Sequence, residues 1–430
     1  MRVMIRTQQI QIKPTHSHYK LLDGFLFASK NLYNCAVYQF RQAIFSKKEN
    51  NAEKAEKVSY YTLDKLLRSE YESNYRAMPT AWSAQHVIRL ADKSFKSFNA
   101  AKKAYSENPS AFTGRPRLPK YLHKENGRQV ISLNCKTVRK GFLQFPKTLK
   151  GFTVKLSEHV KNIKVVRIVP RNRHIVIEVV YDDGNQLRPL SDNGKYAGID
   201  FGLDNLAALA SNTENTPVLI NGKGLKSINQ FWNKQQAHYK AVNDCANGKW
   251  YTTKTGKTKR AERSKREDVL LNKRNDRIKT QMHRISRYIV DTVQKWKCST
   301  LILGHNKGLK NGINIGRKNN QNFVQIPMEM LRNMITYKAE SVGITVISTE
   351  EAYTSKASAF HNDPLPKYSK DNTVKYKFSG KRKHRGLYVS DKGMINVDVN
   401  GALNIIRKVV RDAESSRRIV GYTNPVSVTV

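Results

Sequence analysis

The sequence contains few cysteines, and none of the four lies near another. Cys35, Cys135, Cys245 and Cys298 are widely separated, and no C-x-x-C pair occurs. Disulfide frameworks and structural zinc sites both need cysteines at close or repeated spacing. The pattern therefore indicates a reducing compartment and excludes a disulfide-rich secreted scaffold.

Acidic residues are scarce as well. The 430 residues include 77 Lys and Arg against 34 Asp and Glu, which gives a formal net charge of +43. So large a surplus of one sign repels itself, and a polyanion is the partner best suited to neutralise it. The 20 tyrosines, 15 phenylalanines and 4 tryptophans also suit stacking on bases, although most of them are expected in the core. We therefore expect a nucleic-acid partner.

Long apolar runs are also missing. No stretch of about 18 apolar residues occurs, and no signal peptide opens the chain. A hydrophobic content of 39% is still enough for folded cores, and the length predicts roughly two or three domains. A membrane partner is therefore not expected.

The N-terminal part mixes strand patterns with helical ones. Residues 2–14 and short runs between 114 and 183 alternate as strands do, most clearly in His174–Tyr181. Apolar residues recur at helical spacing from about 18 to 45 and from about 62 to 105. We predict a small β-barrel or curled sheet, completed by the N-terminal strand, into which the helices are inserted.

Two extended segments punctuate this region. The stretch GRPRLPKY, residues 114–121, carries two prolines that exclude a helix. Its Arg115 and Arg117 are candidate contacts to nucleic acid. Residues 184–194, GNQLRPLSDNG, predict a linker.

A β-hairpin is predicted over Gly198–Asn212, GIDFGLDNLAALASN. Short apolar runs on either side of Gly202 are bounded by Gly, Asn and Asp. The first strand ends in Asp200, and a buried carboxylate is costly unless it is paired or holds a cation. Asp200 is therefore either a turn residue that caps the hairpin or a ligand in a functional site.

The segments after the hairpin alternate between strands and helices. The long helix among them is broken near 248–258, and its second half carries an apolar seam from Ile278 to Trp296. Their predicted order is strand, helix, strand, helix, strand and helix, at residues 217–221, 223–297, 299–304, 327–342, 344–349 and about 401–410. Together with the hairpin, this order is typical of a ribonuclease-H-like domain.

In that fold, acids from separate elements meet at one sheet edge and hold two divalent cations, which promote hydrolysis of a phosphodiester. Mg²⁺ and Mn²⁺ prefer oxygen ligands, so such a site is built from Asp and Glu. Asp200 ends the first strand, and Asp398 comes just before the last helix. An N-cap is the alternative role for Asp398.

Four motifs, with GRPRLPKY upstream, resemble those of TnpB. TnpB proteins are RNA-guided nucleases of insertion sequences, formerly called OrfB transposases and related to the type V CRISPR effectors. The motifs are GIDFG, LRNMITYKAESVG, TSKAS and DVNGALNI, and the resemblance covers nearly the whole chain. It implies that Asp200 and Asp398 are the first and last catalytic acids. It also implies a guide RNA that directs cleavage of double-stranded target DNA next to a short flanking motif.

The resemblance further implies an α/β plus β-barrel fold, with a wedge β-barrel and its helical recognition insert ahead of a ribonuclease-H-like RuvC nuclease domain. We expect a cytoplasmic, nucleoid-associated protein of a bacterium or archaeon, bound as a monomer to one RNA. The expected boundaries are 1–14 and 114–193 for the wedge, 15–113 for the recognition domain, 194–353 and 393–412 for RuvC, 354–392 for a zinc-ribbon-like flap, and 413–430 for a tail.

The middle acid departs from this resemblance. TnpB has a Glu at the end of the fourth strand, where this chain has Gly304, followed by His305. A glycine leaves room for a carboxylate from the next strand, so we predict Glu351 as the third catalytic acid and Mg²⁺ ligand, with Glu350 as the alternative. A surface acidic pair and an inactive enzyme are the competing interpretations. His305 is expected to be a hydrogen-bonded loop residue.

The flap departs as well, because TSKASAFHND and FSGKRKHRGLY carry no cysteine. His361 and His384 alone cannot form a tetrahedral zinc site, so we expect a metal-free basic flap near the target strand and no zinc. Candidate nucleic-acid contacts in and near the flap are Lys338, Lys356, Lys381 and Arg382.

The expected chemistry is Mg²⁺-dependent hydrolysis of DNA, with sequence specificity supplied by pairing to the guide. Two alternatives stay open. One is an RNA-guided repressor that binds DNA without cutting it, and the other is a conventional transposase that joins DNA ends without RNA.

Overall fold

The computed structural model describes residues 3–48, 58–202, 204–247, 250–252, 256, 258–260, 263–305, 325–361, 363–367, 374–384, 386–410, 422 and 424–430. The chain divides into an N-terminal unit, Arg2–Gln186, and a C-terminal unit, Leu187–Val430. Each unit has its own hydrophobic core. Most of the predicted tail at 413–430 lies outside the described residues. Within the described ranges, none of the helices is long and apolar enough to cross a membrane.

In the described residues of the N-terminal unit, four α-helices combine with seven strands. The helices are α1 (Tyr19–Lys48), α2 (Tyr60–Glu70), α3 (Glu72–Arg76) and α4 (Ala81–Glu107). The strands are β1 (Val3–Ile12), β2 (Ile131–Leu133), β3 (Val138–Arg139), β4 (Phe142–Gln144), β5 (Thr153–Lys155), β6 (Ile163–Arg171) and β7 (His174–Gln186).

Local sequence explains where two of these helices begin. Ser59 caps α2 and Thr80 caps α4, and in both cases the hydroxyl at the third helical position bonds back to the cap. The long helices α1 and α4 then pack through Phe40 and Phe95, whose rings stack with centroids 4.7 Å apart. Helix capping and an aromatic pair thus define this helical insert.

The strands of the N-terminal unit form two open sheets. One has the order β1-β7-β6-β2 with antiparallel pairing throughout, and the other has the order β3-β4-β5. The N-terminal strand therefore joins the sheet, with Ile12 opposite Ile175. Of the two predicted forms, a β-barrel or a curled sheet, a closed barrel does not form among the described residues, because β3, β4 and β5 pair with one another and leave β1 and β2 as edges.

The C-terminal unit is built around one six-stranded sheet. Its helices are α5 (Lys223–Asn247), α6 (Lys265–Lys295), α7 (Met328–Glu340) and α8 (Val397–Val409). Its strands are β8 (Tyr196–Phe201), β9 (Asn205–Ser211), β10 (Val218–Asn221), β11 (Trp250–Thr252), β12 (Thr258–Arg260), β13 (Thr300–Gly304), β14 (Thr345–Thr349), β15 (Gly380–His384), β16 (Leu387–Ser390), β17 (Gly393–Asn396) and β18 (Val426–Val428).

The large sheet has the order β14-β13-β8-β9-β10-β18. Strands β8, β9 and β10 are antiparallel, whereas β13 runs parallel to β8 and β14 runs parallel to β13. Leu301 and Leu303 face the core that contains α6 and α7, and Ile302 faces the core that contains α8. Helices therefore cover both faces of the sheet, as period-2 alternation requires.

Helix α8 lies against β8 at a glycine. A Cβ atom placed on Gly198 would come 2.8 Å from Cγ1 of Ile406 and even closer to a backbone oxygen of Ala402. Only a residue without a side chain admits the helix at this distance. The helix begins at Val397, four residues earlier than the apolar pattern predicts.

The segment between β14 and α8 carries a small antiparallel sheet, β15-β16-β17. This sheet ends at Asn396, which is four residues beyond the predicted end of the flap. Residues 362, 368–373 and 385 of the predicted flap lie outside the described residues.

Candidate active site

Three strand ends converge at one edge of the large sheet. In the parallel ladder Ile199 is opposite Leu303, and Gly304 is opposite Thr349. Asp200 directly follows Ile199, and Glu351 lies two residues beyond Thr349. Because parallel strands end at the same edge, the backbone delivers Asp200 and Glu351 to the two sides of Gly304.

Gly304 makes room for Glu351. A Cβ atom at position 304 would lie 2.7 Å from Cγ of Glu351 and 2.8 Å from Cδ1 of Ile405. Real Cβ atoms do not approach other carbons so closely, so the Glu351 side chain uses the space left by the missing one. The glycine and the glutamate are therefore sterically coupled.

A second glycine brings α8 against Asp200. A Cβ atom at Gly401 would lie 2.5 Å from Oδ2 of Asp200 and 3.1 Å from its Cγ. Gly401 occupies the second turn of α8, close to its positive N-terminal end. The start of the helix is thus placed directly over the carboxylate of Asp200.

Asp398 is not the N-cap of α8. Asn396 has that role, since its Oδ1 accepts hydrogen bonds from the backbone amides of Asp398 (3.0 Å) and Val399 (3.3 Å). The Asp398 carboxylate instead accepts a hydrogen bond of 2.7 Å from Nδ2 of Asn205. The capping interpretation is therefore wrong, and Asn205 orients Asp398 from the neighbouring strand.

The buried carboxylates repel one another. Burial, followed by the negative charges of Glu351 and Asp398, holds the pKa of Asp200 well above its ordinary value. Burial also raises the pKa of Glu351 to about 7, against the opposing effect of Arg332. A bound cation would relieve this concentration of negative charge.

Arg332 is a site residue that the sequence did not reveal. Its Nη2 lies 3.7 Å from Oε1 of Glu351, and its guanidinium carbon lies 5.0 Å from the ring centroid of Phe201, the neighbour of Asp200. The side chain is 13% exposed, and burial lowers its pKa. A signal existed, because Arg332 belongs to the same motif as Lys338.

Glu350 is turned to a different partner. Its Oε1 forms an ion pair with Lys408 of α8, and its Oε2 accepts a hydrogen bond of 2.9 Å from the amide of Ala352. Of the two glutamates, Glu351 is the one whose negative charge raises the pKa of Asp200. The geometry therefore favours Glu351 over Glu350 as the third acid.

The donor chemistry fits a divalent cation, but the side chains are not arranged as a coordination shell. Asp200, Glu351 and Asp398 offer carboxylate oxygens, which Mg²⁺ and Mn²⁺ prefer. Two glycines remove the side chains that would fill the space around Glu351 and Asp200. In the part of the chain that the structure describes, however, no three His, Cys, Asp or Glu residues stand close enough to hold a metal ion.

Two family comparisons cover this site. Residues 174–310, which include Asp200 and Gly304, match the OrfB_IS605 family, described as "Probable transposase". Residues 329–405, which include Glu351 and Asp398, match the Cas12f1-like TNB domain.

Two relatives add to the comparison, and one of them covers nearly the whole chain. The chain is 22% identical over 436 residues to the TnpB-like protein ORF457 of Acidianus two-tailed virus, a match that covers 94% of this chain and 87% of the relative. It is 32% identical over 180 residues to the CRISPR-associated endodeoxyribonuclease Cas12f1 of Sulfoacidibacillus thermotolerans, which covers 42% of this chain and 40% of the relative. The resemblance to TnpB is confirmed.

Solved structures similar to this chain include a complex of Cas12f1 with guide RNA and target DNA. It covers 93% of this chain and 98% of its own, at 15% identity and a TM-score of 0.33. The mini-RNA-guided endonuclease CRISPR-Cas_phi3 covers 98% and 94%, at 10% identity and a TM-score of 0.46.

Lys338, in a motif shared with TnpB, is buried. Its side chain is inside the unit, where Nζ donates hydrogen bonds of 2.7 Å to the carbonyl of His283 and 2.7 Å to Oγ of Ser286. Burial is the main reason that its pKa falls to about 8. The ammonium group of Lys338 links α7 to α6 and is not exposed to a nucleic acid, contrary to the prediction that Lys338 is a nucleic-acid contact.

The other basic candidates are exposed. Arg115 and Arg117 lie in the extended segment of the N-terminal unit, and Lys381 and Arg382 lie on β15. Lys356 is also exposed, with Nζ 5.9 Å from the ring centroid of Tyr353. These five side chains are available to a polyanion, whereas the three carboxylates are grouped at the sheet edge.

Hydrogen bonds hold the described part of the flap together. Buried Asp363 accepts from the amide of Ser358 (2.7 Å) and from both the amide (3.0 Å) and the hydroxyl (2.6 Å) of Ser379. His361 contacts Ser358 through Nδ1 at 2.7 Å and pairs with Asp391 through Nε2. His384 is exposed on β15, so the two histidines have different environments.

Proposed function

We propose that this chain is an RNA-guided DNA endonuclease of a transposable element, with a RuvC-type, ribonuclease-H-like nuclease domain in its C-terminal unit. The strand order β14-β13-β8-β9-β10 supports this assignment, because it places Asp200 on the central strand and β13 beside it. The TnpB-like and Cas12f1 relatives support the nuclease activity.

The three acids would form the catalytic centre. Asp200, Glu351 and Asp398 would hold Mg²⁺ or Mn²⁺, whose chemistry at a phosphodiester is to activate a water and to stabilise the leaving oxygen. Asn205 orients the Asp398 carboxylate through its 2.7 Å hydrogen bond. Arg332 keeps a positive charge beside Glu351, which favours the ionised carboxylate.

Specificity would come from RNA. In this proposal a monomer binds one guide RNA, and the guide pairs with one strand of the target DNA. The surplus of basic residues and the exposed Arg115, Arg117, Lys381 and Arg382 would contact nucleic-acid backbones. The N-terminal unit would read a short flanking motif, and the protein would work in the cytoplasm of a bacterium or archaeon without zinc.

One observation carries the nuclease proposal. The carboxylate arm of Glu351 occupies the space over Gly304, where TnpB proteins carry their middle acid. A glycine at this position would otherwise mean that one catalytic acid is lost. In this proposal Glu351 replaces that acid from the segment after the neighbouring strand, so the number of carboxylates at the sheet edge is retained.

A two-stage experiment tests the proposal. RNA that copurifies with the protein is sequenced, and a plasmid bearing the matching target is incubated with the complex in Mg²⁺. We expect a defined RNA species and target cleavage that Asp200→Asn, Glu351→Gln and Asp398→Asn each reduce by about 1,000-fold or more. Glu214→Gln, which changes an exposed acid in the same unit, serves as the matched control and leaves cleavage unchanged.

A nuclease-inactive, RNA-guided repressor is the second candidate. It is favoured by the lack of a preassembled three-carboxylate group among the described residues. Target binding without nicking in Mg²⁺ or Mn²⁺ would establish the repressor and reject the nuclease. Absence of any defined RNA, together with joining of DNA ends, would instead support a conventional transposase.

A further inference from the structure

One face of α8 holds the segment that carries Glu351. Asn400 and Asn404 are fully buried and four residues apart, so they lie on the same side of the helix. Nδ2 of Asn400 donates to the carbonyl of Ala357 at 2.8 Å, and Nδ2 of Asn404 donates to the same carbonyl at 2.7 Å. Nδ2 of Asn404 also donates to the carbonyl of Thr354 at 2.8 Å. The backbone after Glu351 is thus fastened to the helix.

The same face continues to the last turn of α8. Arg407 donates to the carbonyls of Ser358 (3.2 Å) and Asp363 (3.0 Å). The next residue, Lys408, forms the ion pair with Glu350; the lysine side chain is 5% exposed and that of Glu350 is 35% exposed. The pair is therefore partly buried, and removal of Glu350 would leave the buried lysine charge without its partner, which is costly.

Glu351 stands between two anchored neighbours. On one side the Glu350 carboxylate is held by Lys408 and by the amide of Ala352. On the other side the carbonyl of Glu351 accepts hydrogen bonds from the amide (3.3 Å) and the hydroxyl (2.9 Å) of Thr354. The backbone at residue 351 therefore has little freedom to turn its side chain away from Gly304.

We propose that the Glu350–Lys408 ion pair is a positioning device for Glu351. The proposal rests on the nuclease function proposed above and deepens it. Asp398 lies in the first turn of α8 and Lys408 in its last turn, so one helix contributes to the placement of both Asp398 and Glu351. Glu350 acts through its neighbour and touches neither metal nor substrate.

Charge reversal tests the device. Glu350→Lys and Lys408→Glu each place like charges together, whereas the double variant restores an ion pair in the opposite sense. We expect each single variant to lose about 10- to 100-fold in cleavage rate at saturating target and in affinity for Mn²⁺, measured by electron paramagnetic resonance. The double variant is expected to recover most of both losses. The exposed pair Arg287–Asp291 in the same unit, reversed in the same way, is the matched control and changes neither quantity.

Two milder variants test the same ion pair with less risk that the protein misfolds. Glu350→Gln and Lys408→Met remove one charge each, and we expect similar losses that are not additive when the two are combined. Hydrogen exchange of residues 350–358 should accelerate in both, which a change confined to the metal would not cause.

Three results would overturn the proposal. The first is a Glu350→Gln variant that is inactive beside a fully active Lys408→Met variant, because Glu350 would then be a ligand itself. The second is a double reversal no better than the single variants. The third is a wild-type chain that binds no Mn²⁺. A wild-type chain that binds Mn²⁺ but cuts no target rejects the nuclease alone, since the Mn²⁺ affinities of the variants still decide the positioning role.

Discussion

Glu351 occupies the space that the missing side chain of Gly304 leaves open. Gly304 is the last residue of β13, Glu351 lies two residues beyond the end of the neighbouring parallel strand β14, and Cγ of Glu351 would be only 2.7 Å from any Cβ at position 304. A substitution at either residue therefore changes the space available to the other.

This relationship predicts the effect of adding one carbon. Gly304→Ala should displace Glu351 and lower cleavage by about 100-fold, because a shift of roughly 1 Å in a catalytic group has an effect of that size. Overpacking should also cost about 1 to 3 kcal/mol in the free energy of unfolding. Cleavage kinetics and denaturant unfolding measure the two effects, and an alanine variant with unchanged cleavage would contradict the steric coupling.

A complementary test places the third acid at position 304 instead of position 351. Gly304→Glu alone places two carboxyl groups in one space, whereas Gly304→Glu combined with Glu351→Gly restores a single acid at the usual strand end. We expect the double variant to cleave faster than Gly304→Glu alone. Equal rates would show that position 351 does not contribute to the site.

The position of Arg332 beside Glu351 predicts how divalent cations change the stability of the protein. Arg332→Met leaves the buried Glu351 without its guanidinium neighbour, which should lower the free energy of unfolding by about 1 to 3 kcal/mol in the absence of divalent cations. A bound cation replaces the lost positive charge, so Mg²⁺ should raise the melting temperature more in the variant than in the wild type. Arg287→Met, at an exposed site, is the control. An equal response to Mg²⁺ in all three proteins would contradict this role.

Lys338 predicts a pH dependence of stability. Its folded pKa is about 8 against an ordinary value of 10.5, so between these values the unfolded chain binds more protons than the folded chain. The contribution of Lys338 to the free energy of unfolding therefore rises as the pH increases from about 8 to 10.5, by up to about 3 kcal/mol, and is least favourable below 8. Lys338→Met should flatten the wild-type curve over this range in denaturant titrations. Lys234→Met, at an exposed position, should leave the curve as it is.

A metal-free flap predicts that zinc is needed neither for cleavage nor for stability. A zinc-selective chelator should leave cleavage and melting temperature unchanged, whereas Asp363→Ala should loosen the segment by removing three hydrogen bonds from its buried carboxylate. Limited proteolysis between residues 354 and 392 measures the loosening. Loss of activity on chelation, with Mg²⁺ kept saturating, would contradict a metal-free flap.

Local patterns accounted for much of the candidate site. The apolar run into Asp200 and the alternating order of strands and helices could be read because buried strands need continuous apolar residues. The hypothesis that Glu350 or Glu351 supplies the third acid came from Gly304 and the resemblance to TnpB, since a glycine at a strand end leaves space for a neighbouring carboxylate. The choice between Glu350 and Glu351 could not be made from the sequence, because it depends on Lys408, which lies 58 residues from Glu350.

Two further expectations differed from the structure because a sequence pattern reveals neither which strands pair nor which side chains are exposed. Period-2 alternation identifies strands but does not say which edges meet, so the barrel was expected where two open sheets form. Lys338 was taken for a surface residue, although Leu331, Ile335 and Lys338 follow the spacing of one buried helical face. A lysine in that register is the signal that could have corrected the prediction.

The contact between α8 and Gly198 has a consequence for how the three acids come together. Asp200 and the strand that leads to Glu351 belong to the sheet, whereas Asp398 is carried by α8. The distance between Asp398 and the other two acids therefore depends on how closely that helix packs on the strand. Any side chain at position 198 would collide with Ala402 and Ile406, push the helix away and move Asp398 from Asp200 without altering a single carboxylate.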